Sequence, residues 1–229
     1  MDHVRKGMVW WRKMMLDKEL KNVTVNTQSS IRIAGEKIVY FDPLKLEGNP
    51  QDADVIFITH DHYDHFSPED IQKAANSNTS IVFPESMEKE IAKTGISEDR
   101  QYAVRPGEQI LICGIQTEAV AAYNVVKPFH PKRNAWVGYI ICMDGICYYY
   151  SGDSDATKEA KAVHCDVAFI PIGGTYTTNA RDATEWVNTI KPAVVVPVHY
   201  GSIVGKMQDA DVFKERVADD IQVVIKICE

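Results

Sequence analysis

The sequence predicts a layered α/β protein, and three observations lead to that class. Short apolar, β-branched runs alternate with stretches of helical periodicity from about residue 23 onward. No repeat, low-complexity tract or Gly/Ser linker interrupts them. Polar residues of metal-binding type stand directly after three of the apolar runs. A chain of 229 residues, 45% hydrophobic and 25% charged, can close one substantial core, so residues 1–229 are expected to form a single domain.

In order, the first segment, 1–20, places Val4, Met8, Trp11 and Met15 at helical spacing, with Trp10 and Met14 widening the stripe. It reads as a helical extension that packs on the body or on a second copy, which would make a homo-oligomer. Strands are expected at 23–27, 38–41, 54–59, 80–83, 115–121, 136–142, 146–151, 166–171, 193–198 and 221–227, where β-branched and aromatic residues cluster between turn signals. Helices are expected at 67–76, 86–93, 157–163, 180–190 and 209–218. The first of these is well punctuated: Ser67 can cap it, Pro68 suits the first helical position, and Glu69 and Asp70 favour its positive end.

Composition narrows the partners. A net charge of −7, with no long basic stripe, argues against a nucleic-acid or anionic-membrane surface, and leaves a small molecule as the expected ligand. No stretch has the length of a membrane span and the N-terminus lacks the order of a signal peptide, so the expected location is the cytoplasm. The five cysteines form no C-x-x-C pair. Asp144-Gly145 reads as a two-residue hairpin turn that sets Cys142 opposite Cys147, and in a reducing cytosol both are expected to stay thiols.

The stretch "ITHDHYDHFSPEDI" at 58–71 crowds His60, His62, Asp64 and His65 into the loop between an apolar strand and the first helix. Imidazole and carboxylate suit zinc and similar divalent ions, and such groups this close can surround two adjacent metals if the loop turns tightly. Two later strands end the same way, "YYYSGDSD" presenting Asp153 and "VVVPVHYG" presenting His199. Each alone is weak, because a strand-end Asp often caps a helix and a strand-end His often bonds a carbonyl.

Together, in residue type, order and approximate spacing, these residues resemble the metallo-β-lactamase superfamily of metal-dependent hydrolases, over about Val23 to the C-terminus. "FDP" at 41–43 and "DVAFIPIGGTYT" at 166–177 resemble the branch of L-ascorbate-6-phosphate lactonase-like proteins. The resemblance implies a four-layer αββα sandwich with one or two divalent metals at an edge between the sheets: zinc first, manganese or iron as alternatives. It assigns His60 and His62 to one metal, Asp64, His65 and His199 to the other, and Asp153 to both. Two adjacent dications generate hydroxide near neutral pH, and Asp64 or Asp153 would orient it or carry its proton.

One ligand of the usual set is missing. Tyr123 or Asn124 in "AVAAYNVV" stands where a further histidine is expected, and His130 in "KPFHPKRN" is the candidate substitute. In the same region Asn124, Lys132 and Arg133, with Tyr63 and Tyr200 beside the motif histidines, are candidate substrate contacts, the cations suiting a phosphate or carboxylate. The Gly-Gly turn of "IGGTY" offers backbone N–H groups to an anion. The expected activity is hydrolysis of an ester, lactone or phosphoester bond in a small anionic substrate. The alternatives are a phosphodiesterase for a nucleotide or lipid headgroup, an iron-dependent redox protein, and a non-catalytic metal-binding protein. The superfamily name does not carry a β-lactam substrate with it.

Overall fold

Strands with apolar residues on both faces can only be stable when both faces are covered, and the central strands of this chain are of that kind. The computed structural model describes Leu16 and residues 20–227. The first sheet contains β1 (Val23–Thr27), β2 (Ser30–Ala34), β3 (Ile38–Phe41), β4 (Val55–Phe57), β5 (Ser80–Pro84) and β6 (Gln101–Val104), in chain order. Its first three strands are antiparallel, and β3 to β6 run parallel.

The second sheet contains β7 (Gln109–Ile112), β8 (Ile115–Ala121), β9 (Val137–Met143), β10 (Ile146–Tyr150), β11 (Val167–Pro171), β12 (Val194–Val198) and β13 (Gln222–Val223). They also lie in chain order across the sheet, antiparallel from β7 to β10 and parallel from β10 to β13. Helices α1 (Pro68–Ala74) and α2 (Glu88–Ile91) belong to the first half, and α3 (Ala180–Ile190) and α4 (Asp209–Lys214) to the second.

The period-two alternation of each strand sorts its side chains between layers. Val39, Phe41, Val55, Phe57 and Val82 join the core shared with the second sheet, whereas Tyr40, Ile56, Ile58, Ile81 and Phe83 pack with Ile71, Ala74, Met87 and Ile91. Across the sheet interface the Phe57 and Tyr139 rings lie 5.0 Å apart and those of Phe41 and Tyr150 5.1 Å. On the far side, Tyr149 meets Trp186 of α3, whose indole N–H donates to the Ala160 carbonyl at 3.0 Å. Each fully buried Val, Ile or Phe contributes roughly 1.5–3 kcal/mol relative to exposure. The result is the expected αββα sandwich, with helices outside each sheet.

Several local expectations are corrected. Strands β2, β6 and β7 add to the expected set, 157–163 forms only a 3-10 turn at Ala160–Ala162, and 221–227 pairs only at Gln222–Val223. The Asp144-Gly145 turn does form, both residues at positive φ (54° and 76°), and places Cys147 opposite Cys142. The two are bonded as a disulfide at a Cα separation of 4.1 Å, not left as thiols, because that turn puts them at a closely spaced cross-strand position. The helical extension expected at 1–20 lies outside the described residues except for Leu16 and Leu20, both of which are buried. Among the described residues no helix is long and apolar enough to cross a membrane.

Candidate metal centre

Asp42 follows β3, His60 to His65 follow β4, Asp153 follows β10, His199 follows β12, and His130 comes from the loop after β8. The carboxyl ends of parallel strands from both sheets therefore converge on one edge. Two backbone adjustments make this fit. Gly152 has φ of 59°, and a Cβ there would lie 3.0 Å from the Thr59 side chain, so only glycine lets the end of β10 approach the end of β4 this closely.

His199 also adopts a left-handed conformation, with φ of 56°, at a cost of roughly 1–2 kcal/mol. Its N–H donates to the Gln28 carbonyl at 2.8 Å, and its own carbonyl rests against Gly173, where a Cβ would lie 2.2 Å away. Gly173→Ala is accordingly expected to displace His199, costing about 1–3 kcal/mol in urea unfolding and lowering the metal content of purified protein. Unchanged stability and metal content would show that the backbone of His199 is not held there.

The motif loop turns tightly, the His62 carbonyl accepting from the N–H groups of His65 and Phe66 at 2.9 and 2.8 Å. Ligand atoms of His60, His62 and His130 lie within 4.8 Å of one another, and so do those of Asp64, His65 and His199. Asp153 stands between the groups: Oδ1 is 3.1 Å from His65 Nε2, and Oδ2 is 3.0 Å from His199 Nε2 and 3.4 Å from His130 Nε2. Asp64 Oδ2 is 3.5 Å from His199 Nε2 and 3.7 Å from His65 Nε2.

The chain fixes which nitrogen each ring presents. Asp42 accepts from Thr59 N–H at 2.9 Å, Thr59 Oγ1 at 2.6 Å, Tyr150 OH at 2.6 Å and His65 Nδ1 at 2.7 Å. With its proton given to Asp42, Thr59 Oγ1 accepts from His60 Nδ1 at 2.9 Å. Asn124 Oδ1 accepts from His130 Nδ1 at 3.1 Å. Each of these histidines thus carries hydrogen on Nδ1 and turns Nε2 inward.

Those inward atoms test whether a metal fits. The Nε2 atoms of His60 and His130 are buried and make no hydrogen bond, and His65 Nε2 and Asp153 Oδ1, equally buried, face only each other at 3.1 Å. Buried polar atoms are normally satisfied, so this many, converging from separate strands, match a site built for cations. Among the described residues the His/carboxylate donor set suits zinc or another divalent ion of similar preference.

The electrostatics of these groups point the same way. Burial, the largest influence on each group, disfavours charge. Asp153 and Asp42 outweigh it at His65, held well above the ordinary imidazole value, and Asp153 and Asp64 outweigh it at His199, raised to about 9. Burial wins at His60, kept well below that value with His65 as a repelling neighbour, and at His130, lowered to about 4. At Asp153 the facing His199 and His65 overcome burial and hold the carboxyl well below its usual range. The carboxylates that raise His65 and His199 are the groups that would also attract a cation.

His130 therefore stands with His60 and His62. Other expectations are corrected. Asn124 is buried, its side chain holding His130 and donating to the Tyr176 carbonyl at 2.9 Å, so it positions a histidine and is not open to substrate. Tyr200 is fully buried in the core, because the left-handed turn at His199 sends the following residue inward. Lys132 is engaged by Glu159 at 2.7 Å and sits 4.6 Å over the Tyr123 ring. The Gly-Gly turn spends its N–H groups internally, Gly174 on the Thr178 carbonyl and Thr175 on that of Gly173. Arg133 and Tyr63 are exposed.

Asp42, Thr59 and Trp136 were not among the expected site residues. Trp136 is buried with its ring 5.0, 4.9 and 5.5 Å from those of His60, His62 and His130, walling that side of the centre with an indole. Asp42 carries the same signature as the recognised residues, a carboxylate directly after an apolar strand.

Fold and site together define a metal-binding αββα sandwich. A family model, the beta-lactamase superfamily domain, matches residues 22–199, and the chain belongs to that family. A metal-dependent hydrolase of Thermococcus kodakarensis is 31% identical over 84% of this chain and 90% of its own length. One from Methanosphaerula palustris is 28% identical over 85% and 91%. Among solved structures, a Parabacteroides distasonis protein, provisionally named a metal-dependent hydrolase, superposes with a TM-score of 0.76 at 26% identity, covering 90% of this chain and 93% of that one.

Proposed function

We propose that this protein is a metal-dependent hydrolase that cleaves an ester, lactone or phosphoester bond of a small substrate at a dinuclear centre. His60, His62, His130 and Asp153 would hold one ion, and Asp64, His65, His199 and Asp153 the other. The observation that carries this reading is the set of buried Nε2 and carboxylate atoms converging from both sheets. The names of the relatives support the hydrolytic class, and the resemblance of the "FDP" and "DVAFIPIGGTYT" stretches to the lactonase-like branch favours a lactone or a phosphorylated sugar. Zinc is the first choice of metal on donor chemistry, with manganese next.

Bound dications would supply Lewis acidity and bring the pKa of water at the site towards neutrality. The chain supplies the rest. Asp64, buried but kept ionised as the contacts of His199 and His65 outweigh desolvation, is placed to accept a proton from attacking water and return it to the leaving oxygen. Asp42, Thr59 and Asn124 keep the rings oriented throughout. Trp136 closes one wall against water.

Chelation is the direct test. Removing metal should abolish hydrolysis of p-nitrophenyl acetate and of bis-p-nitrophenyl phosphate, whichever is cleaved, and zinc or manganese should restore it. Turnover that survives complete removal would overturn the proposal, as would iron with oxygen consumption and no hydrolysis.

A further inference from the structure

The loops that carry His62 and His130 also carry a cluster of exposed apolar side chains, beside the exposed Arg133. Among the large apolar side chains that the described surface exposes, Tyr63, Val125, Val126 and Phe129 all belong to the two loops that carry His62 and His130. Val126 is 88% exposed and Tyr63 73%, and the remaining ones, Tyr102, Leu111, Val212 and Ile225, are spread over other elements. The two loops adjoin, since the His62 and His130 rings lie 4.8 Å apart.

The loop bearing the valines is rigidly held. Asn124 N–H donates to the His130 carbonyl at 2.7 Å, Val125 N–H donates to Asp155 at 2.9 Å, and the Phe129 ring meets Tyr176 edge-on at 4.8 Å. Its cation is spent in holding it: Lys127 Nζ donates to Asp155 at 2.6 Å and to the Thr177 carbonyl at 2.9 Å. Lys132 is paired with Glu159. A clustered apolar surface on a fixed loop, joined directly to a metal-binding residue, marks a ligand contact. Because it adjoins the centre, its occupant is the far part of whatever is cleaved there.

We infer that Val125, Val126 and Phe129, with Tyr63, receive an uncharged aliphatic arm of the substrate, so that the bond cleaved is an ester or lactone carrying an apolar chain and not a compact anion. This rests on the hydrolase reading above. Covering the loop removes apolar area from water, so affinity rises with arm length until the patch is covered.

Two measurements keep the inference and the hydrolase reading separate. With metal restored, kcat/KM is measured for p-nitrophenyl acetate, butyrate, hexanoate and octanoate, and calorimetry follows the binding of N-octylacetamide, an uncharged amide. Wild type should gain about two- to fourfold per methylene and bind the amide. Val126→Ser and the double variant Val126→Ser/Phe129→Ser should flatten the chain-length dependence and weaken the amide, whereas Val212→Ser, remote on α4, should keep both. Hydrolysis of every ester at the same kcat/KM would overturn the inference and leave the hydrolase standing. Amide binding through the loop without hydrolysis of any of these esters would overturn the inference at the bond it assigns, and the hydrolase reading would fail as well only if bis-p-nitrophenyl phosphate were also left intact. No amide binding overturns the inference whatever the esters do. Loop-dependent sedimentation with phosphatidylcholine vesicles, without amide binding, would overturn it in favour of a membrane contact.

Discussion

Asp153→Ala is expected to abolish hydrolysis and to strip most of the metal from the purified protein. Its carboxylate faces both clusters, 3.1 Å from His65, 3.0 Å from His199 and 3.4 Å from His130. Removing it also leaves His65 and His199 without the charge that offsets their burial. The loss should exceed the roughly 10- to 100-fold that a residue supporting a metal ligand usually costs. Asp153→Asn keeps the volume but loses the charge, so it too should fail, while cooperative urea unfolding shows that the fold survives. Turnover near wild type in both variants would remove Asp153 from the centre.

Asp42→Ala is expected to have the largest effect on folding. Asp42 is completely buried and accepts from four donors on Thr59 just after β4, on β10 and in the motif loop, so alanine leaves the Thr59 N–H, the Thr59 and Tyr150 hydroxyls and His65 Nδ1 without their acceptor. Loss of one member of a buried charged network costs about 3–5 kcal/mol, and freeing the His65 ring should weaken metal binding roughly 10- to 100-fold. Urea unfolding of the metal-free protein isolates the first effect, and competition with a chromogenic chelator measures the second. Stability within about 1 kcal/mol of wild type would contradict the network.

Much of this was legible in the sequence. The layered α/β class, the central strands and the His and Asp residues at their ends follow from the apolar runs, since a strand end is where a side chain can leave the core for a shared edge. The αββα arrangement and the ligand roles came instead from the resemblance to the metallo-β-lactamase superfamily. The cap of α1 was legible as well, Ser67 accepting from the Asp70 N–H. What was hidden depended on distant partners. Asp42 reads as part of a family signature until β3 and β4 are seen side by side, and Trp136 reads as a core residue until its contact with three histidines is seen.

The opposite error arose on the surface. Lys132 and Asn124 look available in a polar stretch, yet one is paired with Glu159 and the other holds His130. Tyr200 looks like a pocket residue beside His199, and the backbone turns it into the core. Strand β2 had a readable alternation, Ile31 and Ile33 about Arg32, but β6 and β7 are edge strands with mixed polarity and exposure, which carry a weaker signal.

The centre is tested most directly by elemental analysis of protein purified without chelator, wild type beside His130→Ala. About two divalent ions per chain in the wild type, falling to about one in the variant, is the expected result, because His130 completes the cluster with His60 and His62. A single ion in both proteins would contradict the dinuclear centre and leave only the Asp64, His65, Asp153 and His199 position occupied.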